Sequence, residues 1–147
     1  MKITSPAFKN NSLIPAKYTC DGEDINPELD ISDLPDGVKS LVLIIDDPDS
    51  PSGTWVHWIL LNINSEINKI REDSVPNGAI QGMNSWRKRE YGGPCPGSGT
   101  HRYMFKLYAL DKILDLDGDA DKNIVERAMK KHVLAQTQLI GLYLREQ

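Results

Sequence analysis

The run Ser40-Leu-Val-Leu-Ile-Ile-Asp46 sets five aliphatic residues in succession between polar ends. Such a segment cannot present one face to water, so it predicts a strand covered on both sides. Trp55–Ile63 (WVHWILLNI) and His101–Leu110 (HRYMFKLYAL) are β-branched or aromatic, are bounded by Gly and Pro, and predict two further strands. In the last of these Tyr103, Phe105 and Leu107 share one face, opposite Met104, Lys106 and Tyr108. Leu134–Arg145 reads as a fourth strand, with Gly141 marking a bulge or a close approach. Phe8, Ile14, Ile25, Leu29 and Ile31 suggest short strands separated by turns. One helix is predicted over Lys122–His132, where Ile124, Val125, Ala128 and Met129 recur at helical spacing behind an Asp121 N-cap. Lys130, Lys131 and His132 would close its last turn, with His132 capping carbonyls. Many strands and one late helix favour an antiparallel sandwich or barrel over βαβ units.

At 147 residues the chain has the length of a single domain, 1–147, able to bury one core without staples. Lys and Arg number 17 against 21 Asp and Glu, giving a net charge of −4. The one basic cluster, Arg87-Lys88-Arg89, is followed at once by Glu90. That balance argues against nucleic acid as a partner, because phosphate neutralisation needs a basic face. No stretch approaches the ~20 apolar residues of a membrane span. The start Met-Lys-Ile-Thr-Ser-Pro lacks the apolar run of a secretory signal. Cys20 and Cys95 are too few for a disulfide framework, so a cytoplasmic, reducing location is expected. Whether these two cysteines pair is not decided by sequence.

Acidic residues crowd the segment from Asp21 to Asp49, mostly beside Gly, Pro or Asn, as solvated turn residues do. Asp115, Asp117, Asp119, Asp121 and Glu126 mimic positions of a calcium loop, but Ala120 stands where its sharp turn requires Gly. A turn plus N-cap is the better reading of that stretch.

Two rigid loops each run into a strand that carries a histidine. Asp47-Pro-Asp-Ser-Pro-Ser-Gly53 leads to Trp55 and His57, and Tyr91-Gly-Gly-Pro-Cys-Pro-Gly-Ser-Gly99 leads to His101 and Tyr103. Nine of the chain's twenty glycines and prolines lie in these loops. Glycine lets backbone N–H groups approach a ligand, and proline fixes the loop shape, so together they describe a donor-lined rim for an anion. Imidazole N–H groups and the Tyr103 hydroxyl would add donors, with Asp47 orienting a histidine or receiving a ligand ammonium.

The two blocks, with Tyr-Thr-Cys-Asp-Gly-Glu-Asp at 18–24 and His-Val-Leu-Ala-Gln at 132–136, closely resemble the compact bacterial and archaeal branch of the phosphatidylethanolamine-binding proteins, also called Raf kinase inhibitor-like proteins. The resemblance covers nearly the whole chain. It implies a mostly β fold, an antiparallel β-sandwich with one or two peripheral short helices. It implies a pocket made by Asp47, Pro51, Trp55 and His57 from the first block and Gly93, Pro94, His101 and Tyr103 from the second. In that family the pocket accepts phosphate, acetate-like anions and phospholipid head groups. The resemblance also suggests a cis peptide at Ser50–Pro51. This sequence ends without the additional C-terminal helix that closes over the pocket in eukaryotic members, so the resemblance by itself does not carry over their kinase-regulating role.

The expectation is therefore a non-enzymatic binding protein, without cofactor or metal, that recognises a small anion or a phosphorylated group borne by a lipid or a protein. It would be a monomer or a homodimer. An inhibitor of a protease or kinase acting through a protein surface is the alternative. A metal-dependent enzyme built on Asp47, His57 and His101 is the outsider, since nothing in the spacing demands a metal. Ser98 or Cys95 as a nucleophile lacks a strained elbow and an oriented third partner.

Overall fold

The computed structural model describes residues 1–145. Its strands are β1 (Lys2–Thr4), β2 (Ser12–Leu13), β3 (Leu29–Ser32), β4 (Ser40–Asp47), β5 (Trp55–Asn64), β6 (Lys69–Ile70), β7 (Ile80–Gln81), β8 (His101–Leu110) and β9 (Val133–Tyr143). A single 3₁₀ turn, Ala16–Tyr18, and one helix, α1 (Lys122–Met129), complete the regular elements among the described residues. The strands form a six-stranded sheet in the order β2-β9-β8-β4-β5-β7 and a three-stranded sheet in the order β1-β3-β6. The protein is mostly β, with two sheets and a peripheral helix.

β4 is central, paired antiparallel to β5 on one side and β8 on the other, and every one of its residues is buried. Its unbroken aliphatic run follows from that position. Leu41, Leu43 and Ile45 enter one core with Tyr103, Phe105, Leu107 and the small sheet's Ile3, Leu29 and Ile31. Val42 and Ile44 point the other way, into a second core that α1 covers with Val125 and Met129. This parity separates the two acids at the end of β4. Asp46 lies on the α1 side, fully buried, where its Oδ2 meets Lys106 Nζ at 3.0 Å and Lys122 Nζ at 3.1 Å. Asp47 falls on the opposite side.

The helix is shorter than its apolar spacing predicts. Asp121 caps it, accepting from the Ile124 N–H at 2.9 Å, but it ends at Met129. Lys131 turns left-handed (φ 71°), and His132 caps the Met129 carbonyl through its backbone N–H (2.8 Å) while its ring pairs with Asp111 (Nδ1···Oδ1 2.9 Å). Asp117 and Asp119 of the calcium-loop lookalike are a turn acceptor for the Asp119 N–H and a partner of Arg89.

Cys20 and Cys95 form a disulfide, 75 residues apart in sequence. No cis peptide bond occurs among the described residues, so Ser50–Pro51 is trans, contrary to the expectation from resemblance. The reason is local. Gly53 N–H donates to the Ser50 carbonyl at 3.1 Å, which puts Pro51 second in a four-residue turn. A trans proline with its fixed φ suits that position, whereas a cis proline belongs one residue later.

Candidate binding site

The two loops meet beside the ends of β4, β5 and β8. They enclose a pocket of about 350 Å³ lined by Asp47, Pro51, Trp55, His57, His101 and Tyr103, and also by Ser50, Ser52, Trp86, Cys95, Pro96 and Gly97.

The spacing of the two blocks is explained by the bonds between them. Asp47, at the end of β4, accepts the Asp49 N–H on Oδ1 (2.8 Å) and His101 Nδ1–H on Oδ2 (2.6 Å). Asp49 binds the next residue, Arg102, through its backbone N–H (2.9 Å) and its guanidinium (3.0 and 2.9 Å). Those bonds hold the Asp49 carboxyl down to about 2. Asp-Pro-Asp thus grips His-Arg, and the strand parity of β8 leaves Tyr103 facing the same pocket as His101. Their rings stack with centroids 6.5 Å apart.

His57 arrives there by a bulge. The β4–β5 register shifts between the pairs Ile45↔Trp58 and Asp46↔Val56, leaving His57 as the extra residue. A bulge re-aims a side chain that regular alternation would send elsewhere. His57 Nδ1 donates to the Gly92 carbonyl (2.7 Å), and the Gly92 N–H donates back to the His57 carbonyl (3.1 Å). The ring stands edge-on to Trp86 and Tyr103, with centroids at 5.0 and 5.2 Å.

Burial pushes the His57 imidazole below the ordinary histidine value, against the weaker pull of the Gly92 carbonyl and the Asp47 charge. As pH falls, the unfolded chain therefore takes up this proton first. The stability that neutral His57 contributes is complete above about pH 6.5 and is lost as pH falls below it, until the folded ring also protonates. One such proton contributes a slope of at most about 1.4 kcal/mol per pH unit. Urea unfolding of the wild type and His57→Gln at pH 7.5, 6.5 and 5.5 should show a flatter acid dependence in the variant. Parallel curves would assign the acid sensitivity to other groups.

The Tyr103 hydroxyl is buried without a hydrogen-bond partner among the described residues, and its ring is 1 % exposed. Burial, and then the Asp47 charge, raise its pKa well above the usual phenol range, so it is a donor at any working pH. With Nδ1 of both histidines engaged, Nε2 of each is free of protein hydrogen bonds among the described residues.

Two residues expected in the pocket lie behind it. Gly93 N–H is taken by Asp24 Oδ1 (2.8 Å), and the Pro94 carbonyl by Cys20 N–H (3.2 Å). They dock the second loop on segment 18–24, and Gly93 lines an adjoining recess. Trp86 also lines the pocket, outside the two sequence blocks. It comes from a turn that the Asn84 side chain organises, accepting from Trp86 and Lys88 N–H (both 3.0 Å) and donating to the Glu90 carbonyl (2.8 Å). Asn-Ser-Trp was the only sequence signal, and it names a turn without saying what the turn faces.

The family model for phosphatidylethanolamine-binding protein matches residues 4–144. The chain belongs to the phosphatidylethanolamine-binding protein family. A UPF0098 protein of Methanothermobacter thermautotrophicus is 47% identical over 150 residues, covering 99% of each chain. One of Pyrococcus horikoshii is 49% identical, covering 99% of this chain and 77% of the relative. Among solved structures, a phosphatidylethanolamine-binding protein homolog of Chlamydia trachomatis matches with a TM-score of 0.94 at 39% identity, covering 98% of this chain and 97% of its own. Escherichia coli YbcL, a member of the same family, matches at 0.92 and 27% identity, covering 99% and 98%. Membership supports a ligand-binding role in general terms. No helix of the described residues is long and apolar enough to cross a membrane.

Proposed function

We propose that the pocket binds a small oxyanion, phosphate or a phosphorylated head group carried by a lipid or a protein, and performs no reaction on it. The observation that carries this reading is the buried, unpartnered Tyr103 hydroxyl beside two histidines whose Nε2 atoms are both unengaged. Leaving a buried donor unsatisfied costs about 1–3 kcal/mol, a penalty that a ligand acceptor removes.

The tautomers restrict the ligand further. His57 Nδ1 must carry the proton it gives to the Gly92 carbonyl, so the neutral ring offers a lone pair at Nε2. Asp47, whose carboxylate also lines the pocket, repels a second negative charge. The ligand that suits both must accept from Tyr103 and bring a proton of its own. A monoanionic phosphate with one P–OH does this, as does a phosphate ester bearing an ammonium group. Trp55 and Trp86, edge to face with centroids 5.5 Å apart, supply apolar walls for what is attached.

Calorimetric titration with phosphate between pH 5.5 and 8 tests the reading. Affinity should rise as pH falls, because the phosphate dianion becomes a monoanion within this range and His57 gains a proton below the usual histidine range. Tyr103→Phe removes a hydroxyl with no internal partner and so leaves the fold intact. It should weaken binding by about 1.5–3 kcal/mol, as should His57→Ala and His101→Ala. Equal affinity in all three variants would make these residues structural and remove the pocket from consideration.

A further inference from the structure

We infer that the Cys20–Cys95 disulfide is a redox-sensitive lock on one wall of the anion pocket, so that a dithiol reductant loosens the wall and weakens ligand binding while the fold persists. This rests on the proposed function of the pocket for its ligand, and on the structure alone for the moving part.

The second loop is anchored unevenly. From Tyr91 to Pro94 every residue is tied to its surroundings. Tyr91 Oη donates to the Tyr18 carbonyl (2.6 Å), Gly92 exchanges two bonds with His57, Gly93 binds Asp24, and Pro94 accepts from Cys20. From Cys95 to Thr100 no hydrogen bond holds the chain among the described residues, and β8 resumes only at His101. In that interval the disulfide is the last covalent or polar tether. Cys95, Pro96 and Gly97, the residues it restrains, line the pocket together with Pro51 and Trp55.

The bridge is also accessible. Cys20 and Cys95 are both exposed, unlike the cysteines of a disulfide sealed in a core. Exposed bridges are the ones that exchange with external thiols. In the exchange one reductant thiolate attacks a bridge sulfur and breaks the S–S bond. The second reductant thiol displaces that mixed disulfide, leaving two protein thiols and an oxidised, cyclic reductant. Two electrons and two protons pass from the dithiol to Cys20 and Cys95. The hydrogen bonds at residues 91–94 do not depend on this bond, so the effect is confined to the following six residues.

A wall that samples several positions binds less tightly in proportion to the time it spends in the binding position. If that fraction falls to about a tenth, the dissociation constant rises about tenfold. The experiment compares the oxidised protein, the same sample treated with dithiothreitol, and Cys20→Ser, a variant outside the pocket lining. Two quantities are read: the dissociation constant for inorganic phosphate, and backbone ¹⁵N order parameters. On reduction, order parameters at Gly97, Ser98 and Gly99 should drop from the rigid range of about 0.85 to below about 0.6, while Gly92 and Gly93 stay rigid. Phosphate affinity should fall about tenfold in the reduced protein and in the variant. Unchanged order parameters overturn the inference, as does a mobile wall with unchanged affinity. Loss of chemical-shift dispersion throughout the reduced protein also overturns it, because the bridge would then hold the fold and not the wall. Should the oxidised protein fail to bind phosphate, the function proposed above fails, and the order parameters alone still decide whether the bridge holds the wall.

Discussion

Replacing Cys20 and Cys95 together by serine should lower the melting temperature by roughly 9–18 °C. The bridge spans 75 residues of sequence, so reducing it restores a large loop's freedom to the unfolded chain. Chain-entropy estimates give about 3 kcal/mol for a 15-residue loop and about 4.7 kcal/mol for 100 residues, which places this bridge at about 4.5 kcal/mol. For a protein of this size each kcal/mol is worth about 2–4 °C. A typical margin of about 5–15 kcal/mol survives such a loss. The ends joined are otherwise held by the backbone bond from Cys20 N–H to the Pro94 carbonyl and by Asp24 to Gly93. Thermal unfolding of the double variant, followed by circular dichroism beside the reduced and oxidised wild type, measures it. A drop of less than about 2 °C would show that the unfolded chain keeps these segments together without the bond.

Strand parity makes much of the fold and part of the site legible in the sequence. The aliphatic run of β4 demanded cover on both faces, and it is the strand between β5 and β8. Alternation in β8 correctly put Tyr103, Phe105 and Leu107 on one side, in the principal core. What stayed hidden depends on departures from period two and on distant contacts. The bulge that brings His57 beside Tyr103 leaves no mark in the residue types around it. The Lys122–Met129 helix stops early because the backbone opens at Lys130 (ψ 131°) and turns left-handed at Lys131, which apolar spacing does not register. Cys20 and Cys95 pair because segment 18–24 docks on the second loop, a contact between elements about 75 residues apart. Trp86 reaches the pocket through a turn fixed by the buried Asn84, and no periodicity announces it.

The same docking predicts a sharp contrast between two glycines of one loop. Gly93→Ala should destabilise the protein by about 3 kcal/mol or more, whereas Gly97→Ala should change stability by no more than about 0.5 kcal/mol. A methyl group on Gly93 would fall inside contact distance of the Tyr18 carbonyl oxygen and Asp24 Oδ1, and 2.9 Å from Thr19 Cα. Two of these three neighbours are backbone, so the strain cannot be relieved by rotating a side chain. The loop must instead retreat from segment 18–24, which would break the Gly93–Asp24 and Pro94–Cys20 bonds together. Each bond lost from a buried group adds about 1 kcal/mol to the steric cost. A methyl on Gly97 would meet nothing within 4 Å. The glycine pair Gly92-Gly93 suggests, in sequence, amides laid bare for a ligand. In the structure Gly93 is a glycine because another part of the chain occupies the space of its side chain, and its amide already has an acceptor. Urea denaturation of the two variants separates these accounts. If Gly93→Ala were as stable as Gly97→Ala, the packing of the second loop against segment 18–24 would be looser than described, and Gly93 would be free to turn its amide towards the pocket.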